Sequence, residues 1–402
     1  MKLNKARRFV AILLGALLLF SPLAFSDTSA SLYRIQTLVA DTSSATRAEA
    51  ANQVLSELLV RVSGTRQVLE RLPPDDFLEE PELYAEEERF DLWQELTRAQ
   101  RWVSQYTYGA SDQLMDVEGT EVRAHRLTLE FDPDAITDLL QRMQAPVWDS
   151  RRPRTLFLIA LQGRQGRYLV TPETNADLAD YLEQQMALRG VPLKLPNEEV
   201  NPLPSGLLSD IWGGFNREVL EASQIYRPDA VVIGRIHPAS GHWAVNWQLF
   251  TGLDRVTRDL QTTALREALD QGVHFVAEAL AERYASSPDQ GAGDYQLAVS
   301  NIRDAAAFAS LMDYLQGLSL TQKVQVLRVQ DQQLLLGVSL RGGMNQLRAN
   351  LRLDGRLEET SFFSLQQAQD TGLRLHDQSA PDTSASASLF RQVDAWFKWQ
   401  AD

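Results

Sequence analysis

Two imidazoles five residues apart, His237 and His242, flank the turn Pro238-Ala239-Ser240-Gly241 and could in principle share a metal ion. A metal centre needs further ligands at fixed geometry, and no cysteine or Glu-x-x-His motif stands near them. The spacing points instead to solvated turn histidines, and no metal or other cofactor is expected. His125 shares strand parity with Leu127 and Leu129, which reads as a hydrogen-bonded core or edge histidine rather than a base. Asp75, Asp76, Glu79, Glu80, Glu82, Glu86, Glu87, Glu88 and Asp91 concentrate carboxylate between Pro73 and Leu92, without the alternating order of a calcium loop. A solvated loop is expected there. A glycosidase would need two carboxylates facing across a cleft, and 53 acidic residues single out no pair. The chain has no G-x-S-x-G elbow, no S-x-x-K pair and no P-loop; Gly163-x-x-Gly166 and Gly213-Gly214 read as turns. Trp212, Trp243, Trp247, Trp396 and Trp399 offer sugar-stacking rings, but Trp243 and Trp247 share the apolar parity of one strand, which favours core packing. No catalytic residue emerges.

The elements that would position these groups fall into three regions. Over 31–147, a strand at Leu32–Val39 precedes a helix capped by Thr46-Arg47-Ala48-Glu49, with Ala51, Leu55, Leu58, Leu59 and Val62 on one face and Gly64 after its end. A second helix is expected through Leu92, Leu96, Ala99 and Val103. Strands then follow at Tyr106–Tyr108 and Leu127–Phe131, and a helix at Asp132-Pro133. Over 153–285, the apolar runs Thr155–Leu161 and Asp229–Ile236 read as buried strands, Trp243–Leu249 as an alternating one, and Leu265–Tyr284 as a closing helix. Over 294–364, the order is β-α-β-β-α-β, a ferredoxin-like module. Over 370–402, a Ser/Ala/Asp-rich tail leads to Leu389, Val393, Trp396 and Phe397 at helical spacing, with Trp399 close by. The expected fold class is thus a multi-domain α+β or α/β chain of small layered modules. It ends in a short amphipathic helix that could dock on its own body, on a partner or on a membrane interface, with Trp396, Phe397 and Trp399 as candidate partner contacts.

Lys2, Lys5, Arg7 and Arg8 precede the apolar run Phe9–Phe20, and Ala24-Phe25-Ser26 places small residues before Asp27. This is the order of a secretory signal peptide over 1–26, with cleavage expected between Ser26 and Asp27 and an uncleaved N-terminal anchor as the alternative. The apolar run is shorter than the roughly 20 residues that span a bilayer. The absence of cysteine rules out both a lipid-modified N-terminus and disulfides, so a free periplasmic protein is expected. Losing the four basic residues takes the charge from −14 to −18, which repels nucleic acid phosphates and anionic headgroups. Membrane contact is then expected only indirectly or through the C-terminal helix.

Val60-Arg61-Val62-Ser63-Gly64, Tyr106 with Tyr108, Phe131-Asp132, and Pro146-Val147-Trp148 followed by Arg152-Pro153 together resemble a family of exported proteobacterial proteins known as domain of unknown function 2066, over roughly residues 30–285. The resemblance implies an envelope protein and no reaction. Pro228-Asp229-Ala230-Val231-Val232-Ile233-Gly234 with the Trp243–Phe250 strand is also similar to α/β domains of periplasmic accessory proteins, such as the amino-terminal domain of the Tol-system propeller protein, which implies protein–protein contact. The leading expectation is a non-enzymatic periplasmic accessory protein that binds an envelope protein. The alternatives are a cell-wall glycan-binding protein or carboxylate-pair hydrolase, and a small-ligand carrier, which would need an apolar pocket between domains.

Overall fold

A computed structural model of the chain describes residues 32–117, 119–197, 200–287, 291–360 and 393–400. Ser26 and Asp27 lie outside the described residues, as do Leu389 and the tail through Gln392.

Three sheets, each with its own apolar core, form a multi-domain α+β chain. The first holds β1 (Arg34–Val39), β2 (Val103–Val117) and β3 (Thr120–Phe131) in the antiparallel order β1-β3-β2. Helix α1 (Ser44–Ser63) lays Ala51, Leu55, Leu58, Leu59 and Val62 against Leu127, Leu129 and Phe131 of β3. Its cap is Ser43 rather than Thr46: the Ser43 hydroxyl accepts from the Thr46 N–H at 3.1 Å. The helix ends at Gly64, which adopts the left-handed φ of 76°. The expected second helix is two pieces, α2 (Phe90–Leu96) and a short 3₁₀ turn over Ala99–Trp102, because Val103 is already strand. Helix α3 (Pro133–Arg142) starts where Asp132 accepts from the Asp134 and Ala135 N–H groups. All nine carboxylates between Asp75 and Asp91 are exposed, but their loop is anchored: Phe77 is buried and rings with Tyr84, Phe90 and Trp93 at 5.6–5.9 Å.

The second sheet contains β4 (Thr155–Gly163), β5 (Gly166–Leu169), β7 (Ala230–Ala239), β8 (His242–Thr251) and β9 (Asp254–Thr262) in the order β5-β4-β7-β8-β9, with the two-residue β6 (Leu193–Lys194) beside β4. Strands β4 and β7 run parallel, which is why both are apolar on two faces. Helices α4 (Ala176–Leu188) and α7 (Leu265–Tyr284) cover one face; α5 (Leu207–Gly213) and α6 (Asn216–Ser223) partly cover the other. Trp247 of β8 is fully buried, edge-on to Phe157, in a slot left by Gly234 and Gly272.

The third sheet departs from a plain ferredoxin-like module. Strands β10 (Gly293–Ser300), β11 (Thr321–Gln330), β12 (Gln333–Leu340) and β13 (Leu357–Thr360), with α8 (Ala305–Gln316) and α9 (Met344–Asp354), follow the β-α-β-β-α-β order. The described part of the expected terminal helix is instead a strand, β14 (Ala395–Trp399), and the sheet order is β11-β12-β10-β14-β13. Strand β14 runs parallel to β10 and antiparallel to β13. The residues Ala395, Phe397 and Trp399 alternate into the core, at 4%, 1% and 5% exposure. Phe397 and Trp399 are therefore core residues of this sheet, not free contacts, and Trp396 lies half-buried on its other face.

A guanidinium joint fixes the first region to the second. Arg152 donates to the backbone oxygens of Asp149, Trp148, Arg61, Arg189 and Gly190 at 2.8–3.3 Å and stacks 4.2 Å over Trp148. Those acceptors include the last carbonyls of α1 and of the turn after α4, where helix dipoles concentrate partial negative charge. Burial pushes Arg152 down to about 9, yet the ring of oxygens keeps it a cation. Arg61 donates to the carbonyls of Arg34 and Leu188 and pairs with Glu57 at 2.5 Å. The motif residues Arg61, Gly64, Trp148 and Arg152 thus meet at one joint, where a Cβ on Gly64 would stand 2.6 Å from the Trp148 ring.

Candidate functional site

On the α5 side of the second sheet, one parity of β7 runs Val231, Ile233, Arg235, His237, and its partners on β8 run Phe250, Gln248, Asn246, Ala244. Val231, Ile233 and Phe250 pack with Leu207 and Ile211 of α5. Helix α5 then stops after two turns. Gly213 faces the Phe215 ring, where any Cβ would lie 2.4 Å from a ring carbon, and Gly214 takes a φ of 76°. The outer part of the sheet face is left open, as a recess of about 470 Å³ lined by Trp212, Arg235, His237, Asn246, Asp259 and Gln261.

Asn246 organises the recess. Its Oδ1 accepts from Arg235 Nε at 3.2 Å, Arg235 Nη2 at 2.7 Å and Gln248 Nε2 at 2.9 Å, and its Nδ2 donates to Asp259 Oδ1 at 2.6 Å. Gln248 is held in turn by Asn216 at the start of α6, at 3.1 Å. Arg235 has no carboxylate within 4 Å among the described residues. The Arg167 guanidinium lies 4.3 Å over the Trp212 ring, and Trp212 meets His237 edge-on with centroids 5.8 Å apart. Both rings keep a nitrogen buried without a hydrogen-bond partner, His237 Nδ1 and Trp212 Nε1.

This set can bind but offers no nucleophile–base pair. Asp259 is the one carboxylate among its lining residues and is already engaged by Asn246. His237 is not a turn histidine: β7 carries it to the recess wall, while His242 sits exposed at the hairpin end with Nδ1 3.1 Å from the Ser240 carbonyl. No group of three or more His, Asp or Glu capable of holding a metal occurs among the described residues. His125 lies half-buried between Val39 and Ala110 in the middle strand of the first sheet. Trp243 is half-buried, and Trp247 is core.

Sequence reasoning missed Arg235, Asn246, Gln248 and Asp259. A signal was present: polar residues take over one strand parity after Ile233, and the same change appears in the partner strand.

A family model described as "Domain of unknown function (DUF8605)" matches residues 27–91 and 86–149, under a third of the chain. This is a different family from domain of unknown function 2066, which the short motifs resemble, and it corrects that assignment. No curated protein and no solved structure matches the chain. The matched segments hold the first sheet and the joint as far as Trp148, and the recess lies beyond them.

Proposed function

We propose that this chain is an exported, non-enzymatic accessory protein of the cell envelope that binds another envelope protein, with the recess beside α5 as the polar centre of the contact. The observation that carries this reading is the pair of ring nitrogens, His237 Nδ1 and Trp212 Nε1, unmet among the described residues, beside an Arg235 that has no carboxylate partner among them. Buried polar groups are nearly always satisfied, so a cluster left short of acceptors at the wall of an open recess fits a partner that supplies them. A carbonyl or carboxylate of that partner would meet the Arg235 guanidinium beside the Trp212 ring, and Trp and Arg are among the side chains most often dominant in protein interfaces. The residues Trp212, Asn246 and Gln261 also suit a sugar, which keeps glycan binding as the second reading; a carboxylate-pair hydrolase would need a second acid across from Asp259.

The test is a photocrosslinking residue placed at the exposed Gln261 in intact cells, with Leu253, fully exposed on the β8–β9 turn, as the control position. One discrete adduct at Gln261, absent at Leu253 and lost with Arg235→Ala, is expected. Equal labelling at both positions, or an adduct indifferent to Arg235→Ala, rejects the recess as the contact.

A further inference from the structure

A second opening lies where the first and second regions meet, away from the recess. Its walls come from α1 (Ser56, Glu57, Val60), from the turn after α1 (Arg66, Leu69), from the end of α4 (Gln185, Leu188, Arg189) and from His274 of α7. The cavity measures about 250 Å³. Two chemistries line it. Leu69 and Leu188 are large apolar side chains left 37% and 40% exposed, with Val60 beside them. With them are the guanidinium groups of Arg66 and Arg189 and the imidazole of His274.

Arg189 is the unusual member. It is only 4% exposed, yet no carboxylate lies within 4 Å of it among the described residues. Its Nη2 donates to the Gly64 carbonyl at 2.8 Å, its Nη1 bonds His274 Nδ1 at 2.7 Å, and its Nε is buried with no partner. A buried charge is normally paired, because desolvation is costly without compensation. Arg66, exposed at the rim, likewise forms no ion pair among the described residues. The other titratable groups around the site are occupied or set back. Glu57 is bound to Arg61 at 2.5 Å, Asp270 accepts from the Tyr181 hydroxyl at 2.5 Å, and Glu278 acts on Arg189 only at longer range. Since His274 accepts from Arg189, its ring is neutral in this arrangement, which leaves room for one further charge in the cluster.

We infer that this cleft is a binding site for a small monocarboxylate with a short apolar tail, the carboxylate set against Arg66 and Arg189 and the tail along Val60, Leu69 and Leu188. A cationic end and an apolar wall within one cavity match that shape; neither a plain anion nor a plain alkane would use both. The bound carboxylate supplies the counter-charge that Arg189 lacks, and it also favours protonation of His274, which desolvation, Arg189 and Arg66 otherwise hold down at about 4. A free fatty acid and the C-terminal residue of an apolar peptide share this chemistry.

The test is titration of the whole protein with octanoate and with N-acetyl-leucine, read on the His274 ring signals by NMR and by calorimetry, with acetate and octanol as controls. Octanoate is expected to move the His274 signals and raise their titration midpoint. Hexanoate should bind more weakly, about fourfold for each methylene lost from the apolar wall. Arg66→Gln, an exposed change that leaves the joint intact, should weaken octanoate at least tenfold, as the loss of a charge-assisted contact does. Tighter binding of octanoate than of N-acetyl-leucine assigns the site to a free acid, and the reverse assigns it to a peptide end. Equal binding of octanol and octanoate, a His274 signal that stays still at saturation, or indifference to Arg66→Gln overturns the proposal.

Discussion

The slot that holds Trp247 allows a prediction in which two effects of opposite sign compete. Gly272 lies within helix α7, where exchanging glycine for alanine is worth about 1 kcal/mol in favour of the folded state. Against that, a Cβ at 272 would lie 2.4 Å from two carbons of the Trp247 indole, when relaxed carbon contacts sit at about 3.5–4.0 Å. The ring must therefore retreat by about 1 Å. It cannot do so cheaply, because a Cβ at Gly234 on its other side would already stand 2.3 Å from the same ring system. Overpacking of this severity costs about 3 kcal/mol, at the upper end of the usual range. The net expectation for Gly272→Ala is a destabilisation of about 2 kcal/mol despite the better helix former. Trp247→Phe removes the benzo ring that a Cβ at 272 would strike, so the double variant should lose less than the sum of the singles, by 1 kcal/mol or more. The assay is urea unfolding followed by amide hydrogen exchange resolved to β8 and α7, because a three-core chain need not unfold in one step. Neutral or stabilising Gly272→Ala, or strict additivity in the double variant, would refute the reasoning.

Three further outcomes follow from features elsewhere. His274 is held at about 4 in the fold, against about 6.5 in an unfolded chain, so its contribution is fully present above pH 6.5 and is lost as pH falls toward 4. The loss should be about 1–2 kcal/mol after discounting for partial solvent access, and His274→Gln, which keeps an acceptor for Arg189, should flatten that part of the stability–pH curve. Arg152→Met leaves five backbone oxygens without their donor and should cost about 3 kcal/mol, with faster hydrogen exchange on both sides of the joint; Arg152→Lys should not restore it, because one ammonium cannot span five acceptors. Phe397→Ala should cost about 3–5 kcal/mol and loosen the third sheet, whereas a solvent-facing Phe397 would leave thermal unfolding unchanged.

The long periodic elements were legible in the sequence. Helix α1, with its apolar stripe and terminal Gly64, the buried strands β4 and β7, and the β-α-β-β-α-β order of the third region all follow from pattern. Strand β9 was not, because Asp254–Thr262 is polar on nearly every residue and pairs only with β8 at the sheet edge. Strand β14 reads as a helix in the sequence because Leu389, Val393, Trp396 and Phe397 match a helical face. Ala395, Phe397 and Trp399 equally match a strand face, and five aromatic-rich residues cannot decide between the two periods until a sheet is there to accept them. The recess residues were hidden for a related reason. Strand β7 runs three residues past Ile236, so what reads as a turn histidine is a strand residue at its wall. The roles of Arg152 and Arg189 are hidden because each depends on carbonyls far away in sequence, those of Arg61 and Arg189 for the first and that of Gly64 for the second.

The position of β14 has a consequence for timing. A chain is synthesised from its N-terminus, yet the third sheet places its latest-made strand between β10 and β13, one in from the edge. Thirty-four residues of sequence separate Thr360 from Ala395. Until those have been made, β10 has one edge unpaired, and β13, whose partner in the sheet is β14, has nothing to join. The first region waits as long for its middle strand, since Arg34 pairs with Glu130, but it and the second region are complete before the third begins. The third must wait with apolar edges exposed, and an open edge is where strands of other chains add. A stalled or prematurely terminated chain would thus carry two finished regions and one adhesive one, and it is in this last region that quality control has most to recognise.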